Sequence, residues 1–139
     1  MPDGHLSRRR GWLIAYYATF AATLGTGALT MLRVRGGFLT NHLADLAVPA
    51  WLYIAVRGLH SLAPRVTLIQ RTLGRSPEIA AVALFCASAL TEVSQYYWPR
   101  GLFRGRFDPA DLAAYAIALA ACYAAERFWP VGPARLVEQ

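Results

Sequence analysis

Long apolar runs separated by short polar connections dominate the chain. Four such runs stand out, at about residues 11–32, 43–63, 78–97 and 109–129. Each has close to the roughly 20 residues that a helix needs to cross the ~30 Å hydrocarbon core of a bilayer. No alternating strand pattern and no repeat is visible. The pattern predicts an all-α protein, an integral membrane bundle of four transmembrane helices forming a single membrane domain over residues 1–139.

Two alternatives to four spans need weighing. Three consecutive arginines, Arg8 to Arg10, precede the first run, which is also how a cleaved signal peptide begins. The run is longer than the apolar region of such a peptide, however, and no clean cleavage motif follows it. A soluble helical protein would need polar faces on helices that mostly lack them. We therefore expect the first run to be retained as a span.

Local signals place the starts of the last two runs. Pro77 fits the first turn of a helix, and Asp108 followed by Pro109 supplies a cap and a first-turn proline. The second run is the weakest of the four, because Asp45 and Pro49 interrupt it. We expect the flanking aromatic residues to lie at the membrane–water interfaces, as such residues commonly do. They are Trp51, Tyr96, Tyr97, Trp98, Phe128 and Trp129.

Composition and charge agree with a membrane protein. Hydrophobic residues make up 56% of the chain and charged residues 16%, against about 25% charged in an average soluble domain. The net charge is +6, and all 14 basic residues are arginines, most of which lie outside the apolar runs. Because they do not line a helix with interleaved aromatic residues, we expect no nucleic-acid partner. With the N-terminus inside, seven connecting arginines face the cytoplasm and five face outwards, so the positive-inside rule favours a cytoplasmic N-terminus.

Candidate chemistry concentrates around the connection between the third and fourth runs. Glu92 and Gln95 share a helix face, as do Asp111 and Tyr115 in the fourth run. In an up-down bundle, Asp45 at the start of the second run lies at the same membrane face. An unpaired carboxylate in the hydrocarbon costs on the order of 2–3 kcal/mol, so Glu92 needs a partner. We expect that partner among the arginines of the connection, which are Arg100, Arg104 and Arg106.

Two interpretations of this polar cluster stay open. It is either a structural acid–arginine network that holds the connection on the bundle, or an interfacial anion site in which arginines bind phosphate or carboxylate. His42 and Asp45 offer only two ligands, too few for a metal site, and no cofactor motif is present. Arg57 and Glu126 lie towards the other membrane face, where snorkelling of their side chains explains them without a site. No complete catalytic constellation appears, so enzymatic activity is left undecided.

A resemblance adds to this interpretation. The E-x-x-Q of Glu92–Gln95, an arginine in the connection, the G-x-F of Gly105–Phe107 and the D-L-x-A-Y of Asp111–Tyr115 resemble the bacterial VanZ-like membrane proteins. The chain is most similar to their short relatives, the domain-of-unknown-function family 2809. The acid at position 45 also matches. The last third of the chain carries the resemblance closely, and the remainder carries it only as a pattern of spans.

The resemblance implies a multi-pass protein of the bacterial cytoplasmic membrane. Members resembling VanZ proper are associated with low-level resistance to teicoplanin, a glycopeptide that acts on lipid-linked cell-wall precursors. Tyr115 and the neighbouring alanines stand where that group tends to carry Asn and Gly.

Two functions are therefore expected as alternatives. The first is a non-enzymatic subunit or scaffold of a membrane complex, with a membrane-protein partner or a second copy of the chain. Small residues at steps of four along the first and fourth runs provide helix-packing faces for such a role. The second is an interfacial protein that binds or processes a lipid phosphate, with anionic lipids or a polyprenyl phosphate as ligands. In either role no metal and no cofactor are expected.

Overall fold

A computed structural model describes residues 3–32, 37–60, 67–101 and 106–129, with side chains throughout except at 3–6 and 38–41. The described residues contain helices and no strand, which confirms the all-α prediction. In chain order the helices are α1 (Asp3–Met31), α2 (Phe38–Arg57), α3 (Leu68–Thr72), α4 (Pro77–Tyr97) and α5 (Pro109–Phe128). The four long helices correspond to the four apolar runs. The short helix α3 was not predicted, and the end of the second run at 61–63 lies outside the described residues.

The helix ends follow from local chemistry. The side chain of Ser76 accepts a hydrogen bond from the Ile79 amide, and Pro77 occupies the first turn of α4. The Asp108 side chain caps α5 by accepting from the Ala110 amide at 2.9 Å, and Pro109 follows it, as predicted. Helix α2 ends earlier than predicted because Gly58 adopts a left-handed conformation (φ 67°), which terminates the helix.

Helix α2 is the centre of the bundle, since it packs against α1, α4 and α5, and α4 also packs against α5. Along α1, Tyr16 stacks on His60 and Phe20 contacts Trp51, so α1 and α2 run antiparallel. His42 at the start of α2 contacts Asp111 at the start of α5, and Arg57 at the end of α2 contacts Glu126 at the end of α5. These two helices therefore run parallel. The hydrophobic core of the bundle is formed by side chains from all four long helices and from the turn after α2, which are Trp12, Tyr53, Ile54, Leu59, Ala80 and Leu119.

The bundle therefore has two chemically distinct ends. The Asp45 end contains the start of α2, the end of α4 and the start of α5. The Arg57 end contains the start of α1, the end of α2, the start of α4 and the end of α5. Asp45 and Arg57 are about 18 Å apart along α2 at 1.5 Å per residue.

The short helix α3 is held against the end of α2 by polar contacts. Gln70 Nε2 donates to the Ala55 carbonyl at 3.2 Å, and the Arg57 guanidinium donates to the Gly74 carbonyl. Gly74 is buried so closely that an added Cβ would overlap the Val56 carbonyl oxygen and lie 2.7 Å from the Gln70 carbonyl oxygen. A glycine is therefore required where the segment after α3 crosses α2.

Large apolar side chains lie on the outside of the bundle. Within the described residues, one helix, α4, is long and apolar enough by composition to cross a membrane. Only 11% of its most apolar stretch is buried inside the bundle. Ile14 on α1, Val82 and Leu90 on α4 and Ile117 on α5 are all more than half exposed. The outer surface is thus apolar; the predicted arrangement of four spans stays a prediction.

Gly74→Ala should destabilise the fold. The new methyl group would collide with backbone atoms that cannot rotate away, and we expect the free energy of unfolding to fall by about 1–3 kcal/mol. The matched control is Gly25→Ala, because an added Cβ at Gly25 meets no atom within 4 Å. Thermal unfolding of the purified protein in mild detergent gives the comparison. Equal melting temperatures for the two variants would contradict this account of Gly74.

Candidate functional site

The Asp45 end holds a cluster of ionisable side chains from three helices. Its members, called the carboxylate cluster below, are His42 and Asp45 from α2, Glu92 from α4, and Asp111 and Tyr115 from α5. His42 and Asp45 share a face of α2, and Asp111 and Tyr115 share a face of α5. The antiparallel path of α4 then carries Glu92 to the same end. The fold therefore unites residues that are up to about 70 positions apart in sequence.

Tyr115 is the hub of this cluster. Its hydroxyl lies 3.2 Å from Asp45 Oδ1 and 3.1 Å from Glu92 Oε1. His42 Nδ1 lies 3.0 Å from Asp111 Oδ1 and 3.8 Å from Asp45 Oδ2. These contacts link α5 to both α2 and α4 at one end of the bundle.

Glu92 is the most deeply placed member, with a relative exposure of 2%. Its second carboxylate oxygen accepts from the Asp108 backbone amide at 3.4 Å. A buried carboxylate is stable only when its oxygens have donors or opposite charges. Here the donors are a tyrosine hydroxyl and the amide that precedes α5, so Glu92 also fixes where α5 begins.

Of the three predicted arginine partners, the two that the structure describes are not part of this arrangement. Arg100 and Arg106 are exposed, and neither forms an ion pair with a described acid. Arg104 and Gly105 lie outside the described residues. We expected Glu92 to pair with Arg100, Arg104 or Arg106, and for Arg100 and Arg106 this expectation was wrong. The Trp98–Gly101 turn, closed by a 2.8 Å bond from the Gly101 amide to the Trp98 carbonyl, carries Arg100 outwards.

Gln95 is half-buried one turn beyond Glu92, and the structure gives its side chain no hydrogen bond to a described residue. The structure thus brings together Asp45, Glu92, Asp111 and Tyr115 from the predicted cluster, and it adds His42.

The cluster has more acceptors than donors. Tyr115 carries one O–H, so it donates to only one of its two carboxylate neighbours at a time. The His42 Nδ1 atom likewise carries at most one proton. Three carboxylates therefore face few positive charges among the described side chains, and the arrangement suits an additional proton or a cation better than an anion.

The same geometry supplies a candidate metal-ligand set. One ligand atom each from His42, Asp45 and Asp111 lie within 4.8 Å of one another. From sequence only the first two could be counted, and Asp111 is a third ligand that the fold adds. A nitrogen and two carboxylate oxygens form a donor set suited to a divalent transition metal. Within this set, His42 Nδ1 and Asp111 Oδ1 are also within hydrogen-bonding distance of each other, at 3.0 Å.

A second polar network occupies the Arg57 end, and the sequence analysis missed it. The Arg57 guanidinium donates through Nε to both oxygens of Glu126, at 3.1 and 3.0 Å, and a second nitrogen also bonds to the carboxylate. The Tyr53 hydroxyl donates to Glu126 at 2.7 Å. We call Tyr53, Arg57, Glu126 and the Gly74 carbonyl the Arg57 network.

This network corrects the snorkelling interpretation. Arg57 and Glu126 are 7% and 6% exposed, so their charges lie inside the bundle and do not reach outwards. Two unlike charges near the ends of two runs at the same membrane face were a signal for pairing. The signal was not decisive, because helix rotation decides whether such side chains face each other.

Five of the six aromatic residues expected at the interfaces are exposed at the ends of the bundle. Tyr96, Tyr97 and Trp98 at the Asp45 end, and Phe128 and Trp129 at the Arg57 end, are exposed. Trp51 instead is half-buried and packs against Tyr16 and Phe20. The reason is its position near the middle of α2, the central helix.

Comparison of the chain with protein-family models, with curated proteins and with solved structures found no match. The resemblance to the VanZ-like proteins stays a prediction.

Replacing Arg57 by Met should strongly destabilise the protein. Removal of one partner leaves the buried Glu126 carboxylate without its counter-charge, which typically costs about 3–5 kcal/mol. The double variant Arg57→Met/Glu126→Leu should recover part of that loss, because neither charge is then buried alone. Arg127→Met is the matched control, since Arg127 is exposed and lies next to Glu126 on α5. Chemical denaturation gives the free energy of unfolding of each variant. A value for Arg57→Met that is no lower than the value for Arg127→Met would refute a stabilising pair.

Tyr115→Phe should also lower stability, by about 1–3 kcal/mol, because it leaves the Asp45 and Glu92 carboxylates without their shared donor. Tyr123→Phe provides the control: its hydroxyl lies 3.3 Å from the exposed Glu78, at the surface of the bundle. The melting temperatures of both variants in the same detergent test this. A larger loss in Tyr123→Phe would show that Tyr115 is not the hub.

Proposed function

We propose that this chain is a multi-pass membrane protein in which α1, α2, α4 and α5 each cross the bilayer, and that it serves as a non-enzymatic subunit or scaffold of a membrane complex. One observation carries the proposal. The apolar surface of α4 faces outwards, with Val82 63% and Leu90 68% exposed. The core helix of a soluble protein buries that surface, whereas lipid covers it in a membrane protein.

The spacing of the two polar groups supports the same arrangement. The carboxylate cluster and the Arg57 network lie about 18 Å apart along α2. A hydrocarbon core of about 30 Å then places each of them several ångströms inside one membrane face. Charged groups at that depth usually face the bundle interior and pair with one another, as Arg57 and Glu126 do here.

The hydroxyl groups of α1 also suit a lipid environment. Thr19, Thr23, Thr26 and Thr30 each donate to a backbone carbonyl three or four residues earlier in the same helix. Their hydroxyls therefore need no water. Exposed aromatic side chains at both ends of the bundle match the interfacial belts of membrane proteins.

The scaffold role is supported by the unpartnered face of α1. Within the described helices, α1 packs closely only against α2. Its other side exposes small residues at helical spacing, which are Ala18, Ala21, Gly25 and Ala28. Such a row lets a further transmembrane helix approach closely. A second copy of the chain or another membrane protein fits this face, and no described group of residues completes a catalytic constellation.

The exposed arginines favour a second candidate function. Arg100 and Arg106 stand free at the Asp45 end, where they could hold the phosphate of an anionic lipid or a polyprenyl phosphate. The acids behind them would then repel the phosphate, so this role is supported less well by the geometry. For both functions we place the protein in the bacterial cytoplasmic membrane with its N-terminus inside, which rests on the VanZ-like resemblance and on the arginine distribution.

The test has two stages. Alkaline carbonate treatment of membranes should leave the protein in the pellet; release into the supernatant would refute the four spans. Native mass spectrometry of the protein extracted in mild detergent should then show a dimer or a complex with another protein. Gly25→Leu, which adds bulk to the exposed α1 face, should reduce that assembly several-fold. A monomer carrying a polyprenyl phosphate, lost in an Arg100→Gln/Arg106→Gln variant, would favour the second function.

A further inference from the structure

A cavity of about 460 Å³ lies at the Arg57 end between the start of α1 and the end of α5. Its walls are formed by Gly11, Trp12 and Ala15 on one side and by Ala125 and Trp129 on the other. The volume falls within the ~300–1,000 Å³ of typical ligand pockets. Because small residues form much of the wall, the two helices leave a slot at a place where larger side chains would close it.

The rim of this cavity is basic. Arg8 lines it, and Arg9 and Arg10 follow directly. Arg8 forms no ion pair with a described side chain. The nearby acid of α5, Glu126, is already neutralised by Arg57 inside the bundle. The positive charge at the rim is therefore free to attract an anion, while the slot below it is apolar.

We propose that this cavity binds an anionic phospholipid, with one acyl chain in the slot and the phosphate on the guanidinium of Arg8. The inference rests on the proposed membrane arrangement, which makes the slot open to the bilayer. Basic pockets between transmembrane helices at the cytoplasmic face are a recurrent headgroup site for anionic lipids. The site differs from the arginines of the Asp45 end, which lie at the opposite membrane face.

Gly11 allows a direct test of the slot. Gly11 lines the cavity and a Cβ added there meets no atom within 4 Å, so the Gly11→Leu side chain starts in open space at the wall of the slot. Gly27→Leu is the matched control, since Gly27 lies on the same helix with equally open surroundings and does not line the cavity. Arg8→Gln removes the rim charge, and Arg10→Gln removes an exposed neighbouring charge that does not line the cavity.

The experiment is native mass spectrometry of the full chain in mild detergent, titrated with dioleoyl phosphatidylglycerol or dioleoyl phosphatidylcholine. We expect one phosphatidylglycerol to be retained preferentially. Gly11→Leu should weaken its retention about tenfold, the effect of excluding about two methylene groups from the slot. Arg8→Gln should weaken it about fivefold, and Gly27→Leu and Arg10→Gln should bind like the wild type.

Equal retention of the two lipids would overturn the proposal, as would wild-type binding in Gly11→Leu or an equal loss in Gly11→Leu and Gly27→Leu. Carbonate extraction of the membranes from which the protein is purified separates this failure from that of the proposed function. A protein that stays in the membrane without lipid preference refutes only the lipid site, whereas a protein released by carbonate refutes the membrane arrangement itself.

Discussion

The buried pair of Arg57 and Glu126 is the interaction on which the rest of the bundle depends. It joins the end of the central helix α2 to the end of α5, and the same guanidinium reaches the Gly74 carbonyl and so holds the segment after α3. Charges buried at 7% and 6% exposure tolerate little displacement, because either one left alone would be an uncompensated ion in an apolar interior. The rotation of α2 and α5 about their axes is thereby constrained.

That constraint has a counterpart at the other end of the same two helices. The contacts of His42 with Asp111 and of Tyr115 with Asp45 join the starts of α2 and α5, and Glu92 brings in the end of α4. Three helices are thus tied by polar contacts at one or both ends. No such tie to α1 is present among the described side chains, and α1 holds to α2 by aromatic and apolar packing. This difference explains why both proposed interaction surfaces involve α1, one along its exposed row of small residues and one at its basic start.

The two polar groups also differ in charge balance. The Arg57 network pairs one cation with one anion and satisfies them further with a tyrosine and a backbone carbonyl, so it is a closed structural unit. The carboxylate cluster places three acids around one imidazole and one phenol, and therefore has room for a proton or a cation. Of these two groups, the carboxylate cluster is the one whose acceptor oxygens outnumber its donors, so it can still accept a proton or a cation.

The four long helices, several of their ends and the class of the fold could be predicted from the sequence, because apolar run length, prolines and caps act locally. It also indicated that Asp45, Glu92, Asp111 and Tyr115 lie at one end, since helix lengths and an up-down path decide depth. The partners of the polar side chains follow from the tertiary structure. Among the described residues, Glu92 contacts a tyrosine and a backbone amide and neither Arg100 nor Arg106, and Arg57 pairs with Glu126, because pairing depends on helix rotation and on the course of connecting turns. Neither quantity is encoded in the spacing of residues along a single helix.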